Sequence, residues 1–233
     1  NLGKELDIEV KTSPVTDDKA EVDAVKNGDI QLAWFGGLTG VQARAAVPGA
    51  RAIAQGKSDP KFRSFFIAHK DTGLELSDKF PAEIGKLTFS FGSESSTSGR
   101  LMPEFFIRQH SDQSPQEFFA KPPTFSGSHD ATIQLVETGQ IQTGAVNFKV
   151  YEKRVAEGKT DPDICRVIWK TPEYADYNFT AHPDLETTFG AGFTDRLQNT
   201  LTNITDQELL NAFPRDSLIE PKNKTFKGIE NDS

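Results

Sequence analysis

The chain is poor in sulfur and in large polar aromatics: one cysteine, one methionine, two tryptophans and three tyrosines stand against eighteen phenylalanines in 233 residues. A single cysteine excludes an internal disulfide and a cysteine-rich metal site. It lies in the apolar run DICRVIW, so Cys165 reads as a buried packing residue of a strand, not a nucleophile. No stretch approaches the roughly 20 consecutive apolar residues that a membrane-crossing helix needs. Basic side chains are also in deficit, 26 against 34 acidic, for a net charge of -8, which disfavours nonspecific binding to nucleic acid or anionic membrane. Any anionic ligand must therefore be held by local donors. His69, His110, His129 and His182 are scattered and, with no second cysteine, make no metal-ligand cluster. Gly36, Gly37 and Gly40 give Gly-Gly-x-x-Gly, not the dinucleotide fingerprint, and no Walker pattern occurs, so no cofactor is expected.

What is present is an alternation of apolar runs and amphipathic segments. DDKAEVDAVKNGD reads as a helix stopped by Asn27-Gly28, IQLAWF as a buried strand, and GGLTGVQARAAV as the next helix. Further strands are expected at Ile8 to about Val15, in ARAIAQ, RSFFIAHK, LTFSFG and TGAVNF, and in ICRVIWKTP. Helices are expected in GRLMPEFFIRQH, HDATIQLVETGQ and KVYEKRVAEGK. This order argues for mainly parallel sheets covered by helices. The polar stretch between Lys70 and Leu87 and the segment EYADYNFTAHPDL read as two crossings, so the chain divides into one lobe of residues 1–70 and 178–233 and another of residues 71–177.

Three segments could carry chemistry. In FSFGSESSTSGRLMPEFF, Ser96, Thr97 and Ser98 fall where a strand has ended and a helix begins, at N–H groups without intrahelical acceptors and at the positive end of the helix dipole. Such a place binds anions. Taken alone, Ser-Thr-Ser-Gly is more readily an ordinary N-cap. The second segment, TFSGSHDATIQLVETGQ, puts His129 at another helix start. The third, LAWFGGLTG, ends a strand with Gly36 and Gly37, which let backbone approach a ligand. All three lie at carboxyl ends of strands, where open α/β sheets bind ligands.

With VKNGDIQLAWFGGLTGVQA, SFFIAHKDTGL, SSTSGRLMPEFF, GSHDATIQLVETGQIQTGAVN, TPEYADYNFTAHPDL and AFPRDSLIEP in this order, the chain resembles the periplasmic phosphonate-binding proteins of ABC importers and their phosphite-binding relatives. DYNFTAHPDL is most similar to a branch named for selenate. The resemblance implies the type II periplasmic-binding-protein fold: two α/β lobes, joined by two crossing strands, that close around a small tetrahedral oxyanion. It further implies a non-catalytic protein, a monomer in an extracytoplasmic compartment, whose partner is a transporter permease. By the same resemblance Ser96, Thr97, Ser98 and His129 hold the anion, while Phe35 and a residue of Phe62-Arg63 line the site; Gly36 joins them as a glycine that lets backbone approach the ligand. Family members that take aminoethylphosphonate use two carboxylates for its ammonium. Here those neighbourhoods read Asn147-Phe148-Lys149 and Asp176-Tyr177, so Asp176 and Tyr177 complete the expected ligand set and an amine-bearing ligand is disfavoured. Arg63 suits a compact, fully anionic ligand.

Two other functions use the same residues. An oxyanion sensor for a signalling partner would share the site. A hydrolase of phosphate or phosphonate esters could be built on Ser98 and His129 with Asp130, but Gly-x-Ser-x-Gly is absent, and adjacent residues of a helix point in different directions.

Overall fold

The structure is a computed structural model that describes residues 2–15, 17–211, 215–221, 226 and 229. Its strands in chain order are β1 (Leu32–Phe35), β2 (Arg51–Gly56), β3 (Ser64–His69), β4 (Phe89–Phe91), β5 (Thr124–Phe125), β6 (Thr143–Asn147), β7 (Cys165–Lys170), β8 (Asn178–Ala181) and β9 (Leu218–Ile219). They form two sheets, in the orders β1-β8-β2-β9 and β5-β4-β6-β3-β7. The chain divides into two compact units, one built from residues up to Phe62 and from Tyr174 onward, the other from Arg63–Glu173. The first sheet belongs to the first unit, the second to the second.

Among the described strands the first sheet is antiparallel at every pairing, β2 with β9 included, and the second is mixed, which corrects the expectation of mainly parallel pairing. In the first, β8 runs antiparallel to β1 and to β2; in the second, β3 runs antiparallel to β6 and to β7, while β4 is parallel to β5 and β6. Each antiparallel insert is the strand that follows a crossing. A strand reached through a crossover helix is constrained to run parallel, whereas one entering from another unit is not. The first crossing falls at Phe62–Arg63, not in the polar stretch after Lys70, because β3 pairs along its length with β6 and β7. The return falls at Glu173–Tyr174, ahead of the expected position after Tyr177. Residues 9–15 are exposed and form no strand: alternation is a local signal and does not create a partner ladder. The far end of the expected first lobe, including residues 222–225 and 230–233, lies outside the described residues.

The first unit packs Ile53, Ala54, Phe179, Leu197 and Leu201 on one side of its sheet and Val25, Ala33, Phe35, Ala43 and Val47 on the other. In the second unit Phe65, Ile67, Ile133, Val136, Val146, Tyr151 and Cys165 form one core. Cys165 is fully buried there, as a packing residue. The many phenylalanines fill much of the rest of that unit: Phe66 contacts Phe80, Phe89 and Trp169, and Phe89 contacts Phe91 and Phe119. Each such ring removed from water contributes about 1.5–3 kcal/mol.

Candidate anion-binding site

In the second unit β5, β4 and β6 lie side by side and parallel, so their carboxyl ends share one edge. After β4 comes the turn to a helix that begins at Thr97 and continues as Met102–Ser111; after β5 the helix His129–Glu137 starts, and after β6 the helix Phe148–Ala156. Three helix N-termini are thereby delivered to one sheet edge, each presenting donors and about half a positive charge.

The residues are locked there by short-range bonding. Ser96 is the N-cap, its Oγ accepting from the Gly99 N–H at 2.9 Å, and its own N–H donates to the Ser93 carbonyl at 3.2 Å. Thr97 and Ser98 occupy the first helical positions and are buried. Ser98 is only 1% exposed, and its Oγ has no hydrogen-bond partner among the described residues. A buried unsatisfied hydroxyl is costly and calls for a function.

His129 is carried to this turn by the β5 strand. Ser126 N–H donates to the Phe91 carbonyl at 3.1 Å and Gly127 N–H to the Gly92 carbonyl at 3.2 Å, which lays the His129 approach along the end of β4. Glycines let it come close: a Cβ on Gly99 would stand 3.0 Å from His129 Cε1 and 2.9 Å from Ser96 Oγ. Likewise a Cβ on Gly144 would stand 2.6 Å from Thr132 Cγ2, so the helix could not settle on β6. Ser128 caps that helix through Ala131 N–H. The imidazole tautomer follows from one bond. Asn147 N–H donates to His129 Nδ1 at 3.2 Å, so Nδ1 bears a lone pair and the ring proton sits on Nε2, a donor. Asn147 itself is buried and uses its side-chain oxygen to cap the next helix, accepting from Lys149 N–H at 2.8 Å and Val150 N–H at 3.4 Å.

The remaining expected residues are placed differently. Phe35 is fully buried in the first unit's core among Val25, Ala33, Ala43 and Val47; it is Trp34, on the opposite face of the strand, that stacks on Tyr177 at 5.8 Å. Gly36 is the N-cap of the helix Gly37–Ala46, and Asp176, 1% exposed, accepts the Gly37 N–H at 2.8 Å. A fixed carboxylate thus already sits on that helix end. Phe62 is buried and meets Tyr177 edge-on at 5.5 Å. Sequence reasoning missed what lies beneath this aromatic group: Arg215, whose guanidinium stands over Trp34 and Tyr177 at 5.3 and 5.0 Å and bonds Asp59 through Nε at 2.8–2.9 Å. In the second unit Arg63 donates to the Thr171 carbonyl at 2.8 Å and pairs with Glu173 at 3.0 Å. Asp130 pairs with Arg154 at 2.7 Å, so it does not orient His129 and no hydrolase triad is assembled.

Comparison with known proteins gives the family and the fold. The family model for periplasmic substrate-binding proteins of phosphonate ABC transporters matches residues 1–226. The chain is 41% identical, over 98% of its length and 79% of the other's, to the probable ABC transporter phosphite binding protein PhnD1 of Prochlorococcus marinus strain MIT 9301. The structure of that protein in complex with methylphosphonate superposes with a TM-score of 0.91 at 40% identity, covering 99% of this chain and 87% of that one. The binding protein component of an ABC phosphonate transporter from Pseudomonas aeruginosa shares the fold, with a TM-score of 0.79 at 19% identity over 98% of this chain and 76% of that one.

Proposed function

The chain belongs to the periplasmic substrate-binding proteins of phosphonate ABC transporters, a family of type II binding-protein fold and not of enzymes, and we propose that it captures phosphite or a small phosphonate such as methylphosphonate. In this reading the anion is held by the second unit's donors: Ser98 Oγ, the hydroxyls of Ser96 and Thr97, N–H groups of the first helical turn, and His129 Nε2–H. The observation that carries it is the Ser98 hydroxyl, buried at a helix start without a hydrogen-bond partner among the described residues. A dry tetrahedral oxyanion needs about as many donors as it has acceptor oxygens, and three converging helix ends supply them without a formal cation. The protein acts as a monomer and delivers its ligand to a permease.

The reading also sets selectivity. Asn147 brings a neutral carboxamide to the site edge, already committed to a helix cap, where a carboxylate would be needed to meet an ammonium group. Burying an unpaired ammonium is costly. Calorimetry with phosphite, methylphosphonate, aminoethylphosphonate, phosphate, sulfate and selenate tests this. Phosphite or methylphosphonate should bind tightest; a panel led by aminoethylphosphonate, or one with no phosphorus oxyanion bound, overturns it.

A further inference from the structure

The helix that begins at Thr97 opens with a wide turn: Leu101 N–H donates to the Ser96 carbonyl at 3.0 Å and Met102 N–H to that of Thr97, each five residues back. The next residue is Pro103, which has no N–H to give. In a regular α-helix Met102 would meet the Ser98 carbonyl and residue 103 the Gly99 carbonyl. Both acceptors are taken from outside the helix instead. Ser64 Oγ donates to the Ser98 carbonyl at 2.7 Å, and Gly92 N–H donates to the Gly99 carbonyl at 2.9 Å. Ser64 is fully buried at the start of β3, its own N–H fixed by Thr171 Oγ1 at 3.0 Å.

We propose that Pro103 and Ser64 are positioning residues for the anion donors: the proline leaves the Gly99 carbonyl without its helical donor, the wide turn takes the Met102 N–H away from the Ser98 carbonyl, and Gly92 and Ser64 use these two acceptors to hold Ser98 with its hydroxyl at the sheet edge. This rests on the reading of Ser98 as an anion donor. Wide turns of this kind cost a helix its best hydrogen-bond geometry and recur at functional sites. Here the wide turn ends at a proline, and the groups that use the freed carbonyls are Ser64 and Gly92, the glycine that follows β4.

The test uses Pro103→Ala and Ser64→Ala in the full chain. Pro103→Ala restores an N–H that competes for the Gly99 carbonyl, so Gly92 amide exchange should accelerate in the unliganded protein. Phosphite affinity should fall roughly tenfold while the unfolding temperature holds or rises, because alanine is the better helix former. A merely structural proline would instead lower stability. Ser64→Ala should weaken phosphite binding comparably, and combining either change with Ser98→Ala should give little further loss. Wild-type affinity in both single variants, or losses that add to that of Ser98→Ala, overturns the proposal while leaving Ser98 as a donor. Wild-type affinity in Ser98→Ala alone overturns the site itself, and the proposal with it.

Discussion

Replacing Ser98 by alanine removes one oxygen from the centre of the proposed site, and two effects of opposite sign should follow. With ligand bound, the hydroxyl donates to a charged oxygen, a bond worth about 1.5–3 kcal/mol, so Kd for phosphite should rise roughly tenfold to over a hundredfold. The same hydroxyl is buried and unbonded among the described residues, and such a group left without a ligand costs about 1–3 kcal/mol of desolvation. Its removal should therefore leave the unliganded protein as stable as wild type, or more stable by about 1 kcal/mol. The Ser98 carbonyl, which Ser64 holds, is untouched by the change. Titration calorimetry reads the first effect and thermal circular dichroism without ligand the second. Ser111→Ala serves as the control, since that hydroxyl already bonds the Ile107 carbonyl at 2.7 Å and should leave affinity unchanged. Undiminished phosphite affinity, or a loss of affinity matched by a loss of stability, would refute the reasoning, the latter because it would show the hydroxyl to be a structural bond.

Two further outcomes follow from groups away from the anion donors. Burial pushes the Cys165 thiol up to about 12 from its ordinary 9.0, so the folded protein should not react with a disulfide reagent at pH 8, while one thiol should react after denaturation. In the window between those values the unfolded chain releases the proton and the folded one keeps it, so Cys165 makes stability fall as pH rises; brisk labelling of the native protein contradicts this burial. Arg215→Ala leaves Asp59 as a buried carboxylate that has lost its guanidinium, and urea unfolding should show a loss of about 3–5 kcal/mol; a loss under 1 kcal/mol would mean that the pair contributes little.

The elements that carry the proposed donors were legible because their signals are local. A strand followed by hydroxyl residues and a helical period marks a helix start, and Ser96, Ser98 and His129 could be read off on that basis. What failed to show is long-range. The run SFFIAH is apolar enough for either sheet, and its membership was decided by pairing with Thr143–Asn147 and Cys165–Lys170, far along the chain. LAWF is apolar on both faces, so period-two alternation could not say that Phe35 enters the core while Trp34 meets Tyr177. Asp176 reaches back across 139 residues to cap Gly37, a partnership that no spacing rule encodes. The wide turn is the exception, with a local signal: a proline at position 103, inside the expected helix, implies that the carbonyl four residues behind it, that of Gly99, needs another donor.

The site's neutrality has a physical consequence that ties these features together. At a net charge of -8 the protein as a whole does not draw anions, and beyond about 8 Å at physiological ionic strength its field is screened in any case. Attraction must come from dipoles and hydroxyls within bonding distance, and these act at strength only if they are already aimed when the ligand arrives. That requirement explains why so much of the local bonding is spent on backbone rather than ligand: Ser96 and Ser128 cap their own helices, Asn147 fixes the His129 tautomer while capping a third, and Ser64 and Gly92 hold the carbonyls that the wide turn and Pro103 leave without helical donors. Both partners of each of these bonds belong to the protein, so none of them uses a donor or acceptor of the ligand. A guanidinium in the same place would bring more charge but also a long side chain to immobilise, and it would favour carboxylates as readily as phosphorus oxyanions. Fixed neutral donors instead tie affinity to the number and direction of oxygens on the ligand.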